Sequence, residues 1–300
     1  MNKDQPLTYI VSVTELLRWM DCRRRTAIAD YMKSTNQMWE EEIMHVGTLI
    51  GILVHKGLEY FYNSDANRDI KEYKNLMIRE ATRIKSRLHV KFDTKSRNLG
   101  DAVCDAVAMV SRIAQRYDLR DYESERNVSF EMACDDWKGK LVIQGRLDYF
   151  KHTYNERAEI VEIKTSRHVN AQEQLQFYKV ALVQEGYKQV SATVIHLNRE
   201  KDDYPKLIGY PDDRVNEGYE VALRESCDAY FQWRKDLDEN GQFGFNVVAP
   251  AGNPHSRLCY SCPIYYTIEC PPTWRKRLDD EDLGGDPNLL RYTNKDEVYK

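Results

Sequence analysis

The chain predicts an α/β fold with a mixed central sheet, in which helix, three strands, helix and strand follow one another. Three observations carry that expectation. Residues 126–134, 140–151 and 158–166 have a strand's composition and period, and turn-forming segments at 135–139 and 152–157 separate them. A helical stretch, 171–184, then leads through Glu185-Gly186 into a fourth strand-like run at 190–197. Ahead of this core the chain reads as helices, and behind it lies one more helix and a segment rich in Pro, Gly and Cys.

Taken in order, residues 10–33 read as a helix beginning near the caps Ser12 and Thr14, with Leu16, Leu17 and Met20 on one side. Residues 43–63 form a second, strongly apolar helix. In it, Gly47 and Gly51 allow close packing, and His55 falls on their side. A charged helix is expected over 67–92 and another over 100–118. After the fourth strand, 215–238 is helical again, whereas 249–272 has little regular structure of its own. The organisation is therefore a helical region over 1–125 carrying Cys22 and His55, and a core over 126–200. A helix and cysteine-bearing segment over 201–275 and an acidic tail over 276–300, with Asp279-Asp280-Glu281-Asp282, complete it.

Three hundred residues can bury a sizeable core. Charged residues make up 31% of the chain, and the longest apolar stretch, around Leu49 to Val54, is far too short to span a bilayer. No secretory pattern follows Met1, so the expectation is a soluble cytoplasmic protein with no membrane partner. The net charge of −4 excludes a chain coated in positive charge. A local basic stretch does exist between Lys71 and Arg97, with nine basic residues against three acids. Seven cysteines without an export signal are not expected to form a disulfide framework. Cys104, Cys134 and Cys227 read as small apolar residues, but Cys259-x2-Cys262 and Cys270 in a Pro-broken loop suit a metal or a cluster.

The chemistry-bearing residues stand on the strands. Asp148 lies at the end of Leu141-Val-Ile-Gln-Gly-Arg-Leu-Asp148, and Glu162-Ile163-Lys164 closes the next run. Alternate strand residues share a face, so Glu162 and Lys164 look the same way. Two carboxylates, the Ile163 carbonyl and an ammonium at one point suit a hard divalent cation, Mg²⁺ or Mn²⁺, and hydrolysis of a phosphodiester. Glu131 on the first strand is an auxiliary acid candidate. On the following helix, Gln174 and Tyr178 stand four apart and present both polar groups on one side.

This set resembles the PD-(D/E)xK nuclease superfamily, in which a strand-end Asp precedes Glu-x-Lys on the next strand. Gly145, three before Asp148, gives the Gly-x-x-Asp form of the RecB-like branch, and Gln174-x3-Tyr178 also matches that branch. The Pro that usually precedes the Asp is Leu147 here. The resemblance implies a restriction-endonuclease-like core. It implies catalytic roles for Asp148, Glu162, Lys164, Gln174 and Tyr178, and metal ligation by His55, Asp148, Glu162 and the Ile163 carbonyl.

Imidazole would favour Mn²⁺ over Mg²⁺. RecB-like and CRISPR-adaptation nucleases carry one early cysteine and three late ones around a [4Fe-4S] cluster, which implies Cys22, Cys259, Cys262 and Cys270 here. Zinc and unligated thiols are the alternatives.

The function so implied is a metal-dependent DNA exonuclease acting on single strands or duplex ends. Water would attack phosphorus in line, leaving a 5′-phosphate and a 3′-hydroxyl. Arg23, Arg24, Arg25, Arg83 and Arg87 would guide phosphates, and the pathway would be repair, recombination or CRISPR adaptation with a protein partner. The alternatives are a nuclease-like DNA-end-binding or assembly subunit that cuts weakly or not at all, and a cysteine-ligated redox protein.

Overall fold

The computed structural model describes residues 7–23, 26, 43–63, 70–134, 139–166, 171–199, 204–210 and 217–240. Eight strands are described: β1 (Leu7–Ser12), β2 (Ile43–His45), β3 (His89–Lys91), β4 (Glu123–Cys134), β5 (Gly139–Thr153), β6 (Arg157–Lys164), β7 (Gln189–His196) and β8 (Lys206–Tyr210). Six helices accompany them: α1 (Val13–Asp21), α2 (Val46–Asn63), α3 (Ile70–Lys85), α4 (Leu99–Arg116), α5 (Gln172–Gln184) and α6 (Glu217–Asn240). The central sheet is mixed and six-stranded, in the order β1-β5-β6-β7-β8 with β4 also on β5, and β2 pairs with β3 apart from it. The predicted core order is thus present, with β4, β5, β6, α5 and β7 in sequence. Among the described residues no helix is long and apolar enough to cross a membrane.

Four strands were not legible as such. Residues 10–12, expected to be helical, belong to β1, because Leu7-Thr-Tyr-Ile-Val-Ser12 is a β-branched and aromatic run that pairs in parallel with β5. The helix starts one residue later: Ser12 is extended, and its hydroxyl accepts the Glu15 N–H at 3.1 Å. It ends at Asp21, since Cys22 is extended, so residues 10–33 are not one helix. Likewise residues 43–45 and 89–91 leave their predicted helices and pair with each other as β2 and β3. β8 closes the far edge, antiparallel to β7.

The sheet separates two cores. Leu141, Ile143, Leu147, Phe130, Ile160 and Val194 pack against α1, α5 and α6. Tyr149, Val161, Ile163 and Ile195 pack on the other side against α2, α3 and α4. Five fully buried residues of α2 (Leu49, Ile50, Leu53, Val54 and Leu58) hold that helix down, each contributing about 1.5–3 kcal/mol. Gly57 lets α2 sit close to its neighbours, for a Cβ there would stand 2.1 Å from Met77 Cε and 2.9 Å from Val110 Cγ2.

One irregularity positions the site. β1 pairs with β5 as far as Ser12↔Gln144, and β6 pairs with β5 from Tyr149↔Val161 outward. Between them, residues 145–148 of β5 have no strand partner on that edge among the described residues. The sheet therefore forks at Asp148, and the Glu162–Lys164 end of β6 runs on beside β7.

Candidate active site

At the fork, Asp148 Oδ2 accepts the Ile163 N–H at 2.7 Å, which ties the two splayed strands together. Asp148 Oδ1 lies 3.1 Å from His55 Nδ1, so α2 brings its imidazole to the same point. Burial disfavours charge on His55, but the carboxylates of Asp148, Glu162 and Glu125 outweigh it and raise its pKa to about 9. Burial likewise opposes charge on Asp148, and the adjacent imidazolium overrides it, holding the carboxyl below its ordinary value.

Glu162 and Lys164 face α5, on the other side of the fork. Lys164 Nζ donates to Glu162 Oε1 and to Gln174 Oε1, each at 2.8 Å. Gln174 Nε2 donates to Glu162 Oε1 at 3.0 Å and to the Tyr178 hydroxyl at 2.6 Å. That hydroxyl in turn donates to the Arg146 carbonyl at 2.9 Å. The Gln-x3-Tyr spacing thus closes one network from α5 to both strands.

Gly145 is what admits the tyrosine. A Cβ at that position would stand 2.7 Å from Tyr178 Cε1 and 3.0 Å from Val13 Cγ2. Burial pushes the Tyr178 phenol well above its usual range, so it remains a donor at working pH.

A further acid joins Asp148. His55, Glu125 and Asp148 offer ligand atoms that all lie within 4.8 Å of one another, a grouping able to hold a cation. Glu125 stands on β4 with φ 56°, a left-handed backbone that a non-glycine residue adopts at a cost of about 1–3 kcal/mol. Strain of this kind within a strand persists where its surroundings impose it.

Glu162 is not one of those three, but its own state suits a cation. Its side chain is 3% exposed, Oε2 has no hydrogen-bond partner among the described residues, and burial, then the Asp148 charge, raises its pKa to about 7. A buried carboxylate oxygen without a donor, the adjacent Asp148 carboxylate, Glu125 and the His55 imidazole form a donor set for Mg²⁺ or Mn²⁺.

Other expected residues lie elsewhere. Glu131, the auxiliary acid candidate, is exposed and pairs with Lys140 at 2.8 Å, because the neighbouring strand offers it a surface lysine. Its place beside the cluster is taken by Glu125. Arg83 is held by Glu80 on its own helix, Arg87 is exposed, and the Arg23 guanidinium lies 5.9 Å from the Trp19 ring centre. Cys22 is a buried free thiol. Arg24, Arg25, Cys259, Cys262, Cys270 and the acidic tail lie outside the described residues.

The family follows from this geometry together with the sequence. The model of the PD-(D/E)XK nuclease superfamily matches residues 10–266, and the chain belongs to that superfamily. Its class is therefore that of metal-dependent nucleases. Among curated proteins no relative is found.

Solved structures give remote likenesses. A Eubacterium rectale protein described as "Putative exonuclease" is 12% identical with a TM-score of 0.46, over 87% of this chain and 89% of that one. A structure described as SSO0001 is 15% identical with a TM-score of 0.32, over 82% and 93%. Rai1 of Scheffersomyces stipitis, in complex with (3′-NADP)⁺ and calcium ion, is 14% identical with a TM-score of 0.24, over 77% and 70%.

Proposed function

We propose that the chain is a divalent-metal-dependent deoxyribonuclease, acting as an exonuclease on single-stranded DNA or on duplex ends. The observation that carries this reading is the meeting of His55, Glu125 and Asp148 at the strand fork, with the buried Glu162 and the Lys164–Gln174 pair beside it. His55, Glu125, Asp148 and Glu162, with the Ile163 carbonyl, would hold the ion. Bound there, Mg²⁺ or Mn²⁺ supplies Lewis acidity to a phosphate oxygen and to water.

The chain's own residues do the rest. Lys164, positioned by Gln174 and Glu162, directs its remaining ammonium proton at the attacking water or the phosphate oxygens. Tyr178 holds Gln174 in register and fixes the strand backbone at Arg146. Water oxygen bonds to phosphorus, the bond from phosphorus to the 3′-oxygen breaks, and a 5′-phosphate and a 3′-hydroxyl result.

Arg23, Arg24, Arg25, Arg83 and Arg87 are further proposed to guide phosphates, with Arg83 leaving Glu80 to do so. A [4Fe-4S] cluster on Cys22, Cys259, Cys262 and Cys270 would staple the N-terminal helix to the C-terminal segment; one early cysteine and three late ones support it, although the last gap holds seven residues where five are commoner in that branch.

Labelled single-stranded DNA, duplex DNA and RNA incubated with Mn²⁺, with Mg²⁺ and with chelator test the reading. Stepwise shortening of DNA that requires a metal, and that Asp148→Ala, Glu162→Ala and Lys164→Ala each abolish, is the expected result. Undiminished cleavage by all three variants overturns it.

A further inference from the structure

Arg146 has no part in the network described so far except through its carbonyl. Its side chain points the way Asp148 does. Along β5, Leu141, Ile143 and Leu147 turn into the α1/α5/α6 core, and Gly145 between them meets Tyr178 of α5. Arg146 therefore faces the opposite side, where Asp148 meets His55. The guanidinium Nε lies 2.7 Å from Glu125 Oε2, and the side chain is 61% exposed. Its two Nη groups meet no partner among the described residues. Arg146 thus stands at the mouth of the cluster with its backbone pinned by Tyr178 and most of its donors turned to solvent.

The charges at the site say what those donors are for. Lys164 is engaged with Glu162 and Gln174, and His55 with Asp148. Those two cations are taken up by the Glu162 and Asp148 carboxylates, and the Glu125 carboxylate is left to repel an incoming phosphodiester. A cation drawn to Glu125 weakens that residue's hold on Arg146 and leaves a guanidinium fork beside the place where phosphate must sit. A guanidinium matches two phosphate oxygens at once, which an ammonium does not.

We propose that Arg146 is a substrate-binding residue that clamps a backbone phosphate at or next to the scissile one. Glu125 holds the arginine ready until a divalent ion occupies the cluster. This proposal rests on the nuclease reading above.

The test uses the full-length chain, a labelled single-stranded oligodeoxynucleotide, and Arg146→Ala and Arg146→Lys. Hydrolysis with Mn²⁺ gives KM and kcat, and Ca²⁺ in place of Mn²⁺ gives binding as a function of salt. Arg146→Ala is expected to raise KM about tenfold, the factor that one lost charge-assisted hydrogen bond carries. It should also reduce the slope of log affinity against log salt by about 0.7, one phosphate contact on a single strand. Arg146→Lys should restore the salt slope but only part of the KM, because it keeps the charge without the fork.

Mn²⁺ affinity, followed by electron paramagnetic resonance, should stay the same or tighten in Arg146→Ala. If KM and salt slope stay at the wild-type values while Mn²⁺ binding alone tightens, Arg146 only neutralises Glu125 and the proposal falls. A wild-type chain that cleaves nothing with Mn²⁺ sinks the nuclease reading instead. Thermal unfolding of both variants separates either outcome from a folding defect, and Arg146→Lys retains a test if Arg146→Ala does not fold.

Discussion

Gly145→Ala should uncouple α5 from the strand fork, and the structure gives the size of the effect. The new methyl would stand 2.7 Å from Tyr178 Cε1 and 3.0 Å from Val13 Cγ2, where carbon–carbon contact calls for about 3.5–4.0 Å. The tyrosine ring must therefore withdraw by about 1 Å. It cannot do so freely, since Phe177 and Leu175 bury the same helix in the core. The bond from the Tyr178 hydroxyl to the Arg146 carbonyl, now 2.9 Å, would open past hydrogen-bonding range. Overpacking of about 1–3 kcal/mol and a lost buried hydrogen bond of about 1 kcal/mol together predict a destabilisation of about 2–4 kcal/mol.

A double-mutant cycle by urea unfolding isolates the cause. In a Tyr178→Ala background the obstructing ring is gone, and Gly145→Ala should cost less than about 1 kcal/mol, leaving a coupling of about 2 kcal/mol. If Gly145→Ala costs the same in both backgrounds, the glycine is not there to admit the tyrosine, and this account of the Gly-x-x-Asp pattern is refuted.

Two other predictions concern parts of the chain away from the fork. Arg199 donates to Asp93 and Ser96, fastening the loop between β3 and α4 to the end of β7, and its bond lowers the Asp93 pKa from 3.8 to about 2. A depressed carboxylate stabilises the fold above its unfolded pKa, so this contribution should be whole above pH 3.8 and vanish as pH falls through about 2. Asp93 is 45% exposed, so screening reduces the contribution to about 1 kcal/mol. Asp93→Asn should lose that amount at pH 7 and progressively less as pH falls towards 2, as measured by urea unfolding at each pH. For the proposed cluster, anaerobically purified protein should contain about four irons per chain, and Cys22→Ser should lose them. Iron-free protein with zinc bound, or with no metal, would contradict the cluster.

Much of the candidate site was legible because its residues carry short-range patterns. Asp148, Glu162 and Lys164 announced themselves at strand ends, and Gln174 and Tyr178 by helical spacing. His55 was marked by the side of α2 it shares with Gly47 and Gly51.

Glu125 was missed for a definite reason. The β4–β5 pairing runs outward from Cys134↔Gly139 and sets Glu125 level with Asp148, between Ser124↔Tyr149 and Arg126↔Leu147. The sequence suggested a turn through Gly139 and a strand starting at 126, which shifts that pairing by one and leaves Glu125 outside it. A one-residue change of register turns every side chain to the other face, so no composition signal compensates for it.

β1, β2, β3 and β8 were hidden differently. Each is three to six residues long, too short for periodicity to separate from a neighbouring helix or loop, and β1, β2 and β3 are fixed by partners far along the chain. Arg146 carries no pattern in the sequence, and its place follows only from Glu125 beside it.

The central claim is that the fork holds a divalent cation, and Mn²⁺ binding measured directly tests it. Titration of the metal-free protein, followed by electron paramagnetic resonance, should reveal Mn²⁺ binding that Asp148→Asn and His55→Ala each weaken by at least about tenfold, the effect of removing one ligand's interaction. Glu125→Gln should weaken it as well, which its exposed counterpart Glu131→Gln should not. Equal Mn²⁺ affinity in the wild type and in Asp148→Asn would contradict the account.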